Sequence, residues 1–523
     1  MKTLGPLDIA LFATYMTVLF GIGAWFSREK KDLKTYLLAD QDVHWVIVAI
    51  SVMAALFSGI TYLGVPAETF FYNLNYIWVS VSFFIATPIV TLLFLPFFRG
   101  LNLITAYEYL ERRFDYRLRR LASSLFLGRV TLYVATAIYA PALAVSAITN
   151  LSLYQSILVT GISATIYTAL GGMKAVIWTD SLQFLVLCGG ILVILVFAAW
   201  QVPGGFVGSW QLAASEGKTQ FLNFDLDPTV RVTFWGAMLG GAANNLVQLV
   251  TDQISVQRYL TAKSLHQAQK ALWLKLAVTL PIMFMVYASG TVLYSYYKSH
   301  PEQTPNFEHA SLVPVLHQQP VSDNAPLLHD NQLLPYFVVN QLPSPLPGLL
   351  VAALYGATMA VVAAGVNSLA TSALMDFRKD VPVALKDEPA YLRRARAFTL
   401  LFGGLATGLA FVIGYIGSLI EISVKISGLF GGPLLGIFML GVLSTRANSL
   451  GALVGLAGGV LTAIVVAFPQ KFLHMDISFL WIAFYAALAT FGIGWCASFL
   501  ATPPTVQQKA MTFWQRAYIA SGE

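Results

Sequence analysis

The chain has 523 residues, 57% of them apolar and only 11% charged, where a soluble protein carries about 25% charged residues. Its mean hydropathy of +0.69, with 35 Phe and 11 Trp, is more apolar side chain than a soluble core can bury, which excludes an ordinary cytosolic enzyme and makes lipid part of the solvent. The net charge of +6 therefore calls for a topological explanation before a ligand is invoked, and no nucleic-acid partner is indicated. Cys188 and Cys496 lie in apolar runs, so neither a disulfide framework nor a cysteine metal site is expected.

Apolar runs of about 20 residues bounded by charges or by Pro and Gly predict 13 helices. They fall at 7–26, 43–71, 76–98, 121–148, 151–170, 178–200, 233–256, 271–297, 347–375, 397–418, 421–444, 449–469 and 476–501. The first run follows Met1-Lys2 but is too long for a signal-peptide core and lacks a small-residue cleavage site, so it is expected to be retained. The connection at 298–346 is rich in Pro, Gln and His. Its histidines, His300, His309, His317 and His329, have no compact metal spacing, and its LeuLeuProTyrPheValVal stretch (333–339) is expected to pack back on the membrane domain.

An odd span count puts the termini on opposite sides. One side holds 23 of the 31 basic residues, including Arg28 to Lys34, Arg112 to Arg120 and Arg378 to Arg396, and the other holds five: Lys2, Lys218, Arg231, Lys298 and Lys471. The positive-inside rule then predicts an outer N-terminus and a cytoplasmic C-terminus in a multi-pass protein of the cell inner (plasma) membrane. Three basic residues remain within predicted spans: Arg129, Lys275 and Lys425.

No GxxxxGK[ST], HExxH or GxSxG is present, which leaves no ATP engine and lowers the case for an intramembrane hydrolase. The second span carries Ser58-Gly59, Thr61, Gly64 and Pro66 at mid-membrane, and the seventh carries Gly240-Gly241 and Asn244-Asn245. Two readings stand: unwound backbone lining a cavity, as in transporters built from inverted repeats, or small residues that let helices pack closely. Arg129, in PheLeuGlyArgValThrLeuTyr (126–133), has no acid within one helical turn. Placing it there costs at least about 3 kcal/mol, so it faces either an anionic solute, which a planar guanidinium suits, or a remote acid such as Glu68 or Asp180.

The segments ThrAlaTyrGluTyrLeuGluArgArgPhe (105–114), TyrThrAlaLeuGlyGlyMetLysAlaValIleTrpThrAsp (167–180), AspGlnIleSerValGlnArgTyr (252–259), Asn367-Ser368 and GlyLeuPheGlyGlyProLeuLeuGlyIlePheMetLeuGly (428–441) resemble the sodium:solute symporter family along nearly the whole chain. The 167–180 segment and TyrAlaProAlaLeuAla (139–144) are similar to the multivitamin and monocarboxylate branch. GlyArgVal (128–130), PheMetLeuGly (438–441) and ArgAlaAsn (446–448) are similar to bacterial sodium/sialic acid symporters.

The resemblance implies an all-α, leucine-transporter-like fold in a single transmembrane domain (1–523). Two inverted five-helix repeats, 43–200 and 233–444, would carry one leading and two trailing helices, with 298–346 as a long extracellular loop. It implies substrate contacts at Ser58, Thr61 and Arg129. A glutamine contact of the sialic acid group falls near Ser80, and the aromatic that sugar carriers stack on substrate falls at Gln248-Leu249. These departures argue against sialic acid and a plain hexose, and leave Gln248 as the substrate contact on the seventh span.

The family's principal sodium site implies backbone carbonyls of Ala54, Phe57 and Ala357 with two hydroxyls, which align with Ala360 and Val361; a second site aligns with Ala363 and Ala364. All four side chains end in methyls, and sodium needs oxygen to replace its water. Sodium as the coupling ion is thus not simply inherited, although Thr358 or water could substitute. Lys425 occupies a position that is small or polar in similar members. It either stands in for a cation and exchanges protons or pairs with Glu421 one turn away; Asp180 and Asp252 are further proton carriers, and Lys275 has a family counterpart. The resulting expectation is a secondary active transporter, with no organic cofactor, importing a small organic anion by alternating access. A proton-coupled or uncoupled facilitator or solute sensor on the same fold is the alternative. Substrate identity, stoichiometry and oligomeric state are not legible in the chain.

Overall fold

The computed structural model describes residues 4–27, 44–101, 103, 105–149, 151–307, 327–377, 388–414 and 418–515. Predicted features at Arg28 to Lys34, His309, His317, Arg378 to Lys386 and Arg516 lie outside them. The described chain is almost wholly helical, apart from one short parallel pair, β1 (Asn306–Phe307) with β2 (Leu327–Leu328). Nine helices among the described residues are long and apolar enough to cross a bilayer, or ten if one bent pair counts as a single span.

The elements, in order, begin with α1 (Pro6–Ser27), α2 (Trp45–Leu56), α3 (Gly59–Phe71), α4 (Leu74–Gly100), α5 (Ala106–Arg113), α6 (Tyr116–Ile148), α7 (Leu153–Trp200) and α8 (Gly205–Ser215). There follow α9 (236–251), α10 (Gln253–Leu260), α11 (Leu265–Ser299), α12 (Leu333–Gln341), α13 (Leu346–Met375), α14 (Glu388–Ile413), α15 (Leu419–Leu443), α16 (Ser449–Ala467) and α17 (Trp481–Leu500). Many starts are written in the local sequence as N-caps. Asp115 accepts from Leu118 N at 3.0 Å, Asn448 accepts from Gly451 N at 2.9 Å, and Ser152 with Gln155 forms a reciprocal capping box. Each cap satisfies amides that have no partner inside the helix.

The fifth and sixth predicted spans, 151–170 and 178–200, fall in one run of helical backbone, the 48 residues of α7. A straight helix would hold Tyr167 and Thr179 about 18 Å apart, yet their hydroxyls lie 2.5 Å apart. The chain therefore turns back between them. Both limbs meet the same level of α13: Thr160 donates to the Tyr355 hydroxyl at 2.8 Å, and a Cβ added at Gly356 would lie 3.0 Å from Gln183. Helix α13 is the axis of the bundle, with 94% of its apolar window buried, and its near-continuous Ala, Val and Gly pattern lets neighbours approach from every side. The same device joins the last two helices, where Gly451, Gly455 and Gly459 on α16 face Thr490, Gly494 and Ser498 on α17.

The 333–339 stretch does pack inward: Leu333, Leu334, Phe337, Val338 and Val339 are buried in α12. At the basic end, Asp376 after α13 accepts from Arg119 Nε, Ser123 and Thr105 at 3.0, 3.0 and 2.6 Å, tying the end of α13 to the start of α6.

Lys218, in the turn after α8, is 7% exposed. Its ammonium donates to the Phe71 carbonyl at the end of α3 at 2.9 Å and lies 4.9 Å from the Tyr294 ring centre. Burial lowers it from an ordinary 10.5 to about 8, with Glu216 acting the other way. Between those values the unfolded chain binds more protons than the folded one, so stability rises with pH across that window and is flat below it. The melting temperature of wild type in detergent should accordingly climb relative to Lys218→Met between pH 8 and 10. A difference independent of pH would show that Lys218 keeps its proton in the folded state.

Candidate functional site

The second span is broken where its hydroxyl and glycine residues predict. Helix α2 ends at Phe57 (φ −89°, ψ 75°) and α3 is entered from an extended Ser58 (φ −89°, ψ 171°), with a 58° bend between the halves. The break takes the carbonyls of Ala54 and Phe57 out of the helical ladder. Helix α13 packs against it, so that a Cβ at Gly59 would lie 3.2 Å from both Leu354 Cδ1 and Thr358 Oγ1. Ala357, Ala360 and Val361 are buried on the same helix.

The seventh span is also broken, but at Asp252, which is extended (φ −87°, ψ 114°) between α9 and α10. Gly240-Gly241, the predicted weak point, stays helical. There the glycines serve close packing: a Cβ at Gly240 would fall 2.1 Å from the Leu480 carbonyl, and one at Gly241 would fall 2.8 Å from Ser82 Oγ. Asn245 donates to Ser82 at 2.9 Å across that contact.

The two breaks face one another across α6. Ser58, Thr61, Arg129 and Gln248, the four expected substrate contacts, line one buried cavity of about 80 Å³ together with Tyr133, Asp252, Ser423 and Ser427. Arg129 is 3% exposed and Asp252 4%, and the two form an ion pair. Asp252 also caps α10 through Ile254 N at 3.0 Å. The acid that meets Arg129 is thus neither Glu68 nor Asp180. Glu68 is 2.7 Å from Arg231, and Asp180 is 3.0 Å from Arg258 and 3.2 Å from Ser51 Oγ. Arg129 Nε and Ser427 Oγ have no hydrogen-bond partner among the described residues, so the cavity wall retains unmet polar atoms.

A second cavity of about 150 Å³ adjoins the first, sharing Ile60, Thr61, Gln248 and Ser423 with it. Its wall mixes apolar side chains with Tyr76, Ser80, Asn244, Asn245, Lys275, Thr279 and Tyr287, besides the shared Thr61, Gln248 and Ser423. The glutamine-to-serine departure at Ser80 therefore falls on the site itself, where Ser80 Oγ is 3.1 Å from the Tyr287 hydroxyl.

Lys425 lies on neither wall. It is 3.8 Å from Glu421 one turn away, and Glu421 is itself paired with Arg231. Arg231, between the ring faces of Tyr72 and Phe479 at 4.3 and 5.1 Å, thus links α3 to α15 beyond the cavities. Ser423 and Ser427 were not recognisable as site residues from spacing, and Asp252 stood out only as a proton carrier, because only the packing of α15 and the break before α10 bring them to Arg129.

The sodium:solute symporter family model matches residues 36–459. The chain belongs to the sodium:solute symporter family. A putative sodium-dependent multivitamin transporter of Drosophila melanogaster is 33% identical over 482 residues, 90% of this chain and 75% of the relative. The human sodium-coupled monocarboxylate transporter 2 is 31% identical, covering 90% and 72% respectively. Among solved structures, a Na+-coupled sialic acid symporter in a substrate-bound outward-open state superposes with a TM-score of 0.84 at 25% identity, over 96% of this chain and 99% of that one. These relatives of the symporter chain are transporters, not enzymes.

Proposed function

We propose that this symporter-family protein imports a small monocarboxylate by alternating access, with Arg129, Ser58, Thr61 and Gln248 contacting the solute. The observation that carries the reading is the convergence of those four side chains, from three separate spans, on one buried cavity. Cavity size supports a short acid over sialic acid: about 150 Å³ is the volume that holds a benzene ring. The names of the multivitamin and monocarboxylate relatives point the same way.

The finer architecture belongs to the same proposal: 13 spans, a five-plus-five inverted repeat over 43–200 and 233–444, an extracellular 298–346 connection, and an outer N-terminus with a cytoplasmic C-terminus in the plasma membrane. Sodium is the cargo ion that the family name implies. The carbonyls of Ala54, Phe57 and Ala357 would supply part of its shell, while buried methyls at Ala360 and Val361 favour a second reading, in which coupling is to protons or absent. Asp180, held by Arg258, and Lys425, held by Glu421, are the candidate coupling groups in that case.

A thermal-shift screen of short and aromatic monocarboxylates, sialic acid, glucose and biotin, run with and without sodium, tests both parts. The expected result is stabilisation by monocarboxylates with little dependence on sodium. Stabilisation by glucose alone would remove the organic-anion reading.

A further inference from the structure

Lys275, on α11, is a buried charge that nothing described so far employs. It is 1% exposed, and its side-chain nitrogen has no hydrogen-bond partner among the described residues. Its ammonium lies over the face of the Phe83 ring, 3.0 Å from the centroid. It lines the larger cavity, whose described wall contains no carboxylate. An ammonium inside the membrane without a counter-charge is expensive, and such residues face a pathway or a ligand. Arg129 differs in this respect, because Asp252 already balances it. Among the described residues, Lys275 is thus the basic side chain of the paired cavities that no carboxylate balances.

We infer that Lys275 is a substrate-binding residue, and that its ammonium is the counter-charge that makes this site select a carboxylate over a neutral solute of the same shape. Met53, Phe57, Phe83, Ile282 and Met283 offer the solute's hydrocarbon part an apolar wall on the same side. Arg129 contributes hydrogen bonds from the adjoining cavity, across the wall that Thr61 and Gln248 share. The inference rests on the organic-anion reading above and assigns the origin of its charge selectivity.

The test compares isosteric pairs, benzoate with benzamide and butanoate with butanamide, by binding to the purified full-length protein and its variants. Wild type should prefer each acid. Lys275→Gln should lose at least about tenfold in affinity for the acid, the scale of one charge-assisted hydrogen bond, while amide affinity stays within about twofold. Lys275→Arg should keep the preference for the acid, which separates charge from packing. An acid-over-amide preference unchanged in a folded Lys275→Gln, or in Lys275→Met should the Gln variant not fold, overturns the inference alone. A wild type that binds none of these acids removes the anion reading and the inference with it.

Discussion

Replacing Arg129 by glutamine is expected to destabilise the protein and to remove saturable uptake of the organic anion, and the two losses should separate when Asp252 is changed with it. Breaking a buried ion pair from one side costs about 3 to 5 kcal/mol, because the remaining charge stays buried without its partner. Arg129→Gln leaves the Asp252 carboxylate in that state, held in place by its cap on Ile254 N. Asp252→Asn keeps the cap, since asparagine is as good an N-cap as aspartate, and leaves the guanidinium free for the solute. The double variant Arg129→Gln/Asp252→Asn has no buried charge at this point, so its melting temperature should return toward wild type. Its uptake should not, because the guanidinium donors are gone; a fall of about tenfold or more in apparent affinity is expected. Melting curves and proteoliposome uptake of the same four proteins form a double-mutant cycle. Wild-type affinity in the double variant would show that Arg129 serves folding only.

The second large effect concerns the cargo ion. Wild-type uptake is expected to respond weakly to an imposed sodium gradient, and Ala360→Ser combined with Val361→Thr is expected to steepen the response. The physical reason is the oxygen count. In the proposed site the break between α2 and α3 would free carbonyls at Ala54 and Phe57, and the family resemblance aligns the methyl-ended Ala360 and Val361 where a hard cation would need two further oxygens. Thr358 brings one hydroxyl against Gly59, although that hydroxyl already donates to the Leu354 carbonyl at 3.2 Å, which leaves its lone pairs available. Thr358→Val should therefore abolish whatever sodium dependence wild type retains. Half-maximal sodium in the double-hydroxyl variant should fall by about tenfold or more relative to wild type. A steep wild-type response at low millimolar sodium, unchanged by Thr358→Val, would show that the ion is bound by oxygens elsewhere.

Much of the candidate site was legible in the sequence. Ser58, Thr61, Arg129 and Gln248 each carry a local signal: a hydroxyl beside a helix-breaking glycine, an arginine in a hydrocarbon environment, or an amide where an aromatic residue stands in related carriers. Their meeting in one cavity needed only the resemblance to place them on facing spans. What local signals misplaced was the break in the seventh span. Two adjacent glycines looked like the weak point, yet glycine permits close packing as readily as unwinding, and Leu480 and Ser82 occupy the space a Cβ would fill. The unwinding happens instead at Asp252, whose side chain caps the following helix and whose charge meets Arg129.

The chain by itself determined that this is a membrane protein, which stretches are apolar enough to be candidates for crossing, and which few charges fall inside those stretches. Those properties follow from composition and from the cost of moving a polar group into hydrocarbon, and both are readable one segment at a time. Only the tertiary structure decided how the leftover charges are spent. Arg129 is balanced by Asp252 and Lys425 by Glu421, while Lys275 lines a cavity whose described wall holds no carboxylate. Pairing of charges from different helices depends on crossing angles and on where a helix breaks, and no single segment contains that information.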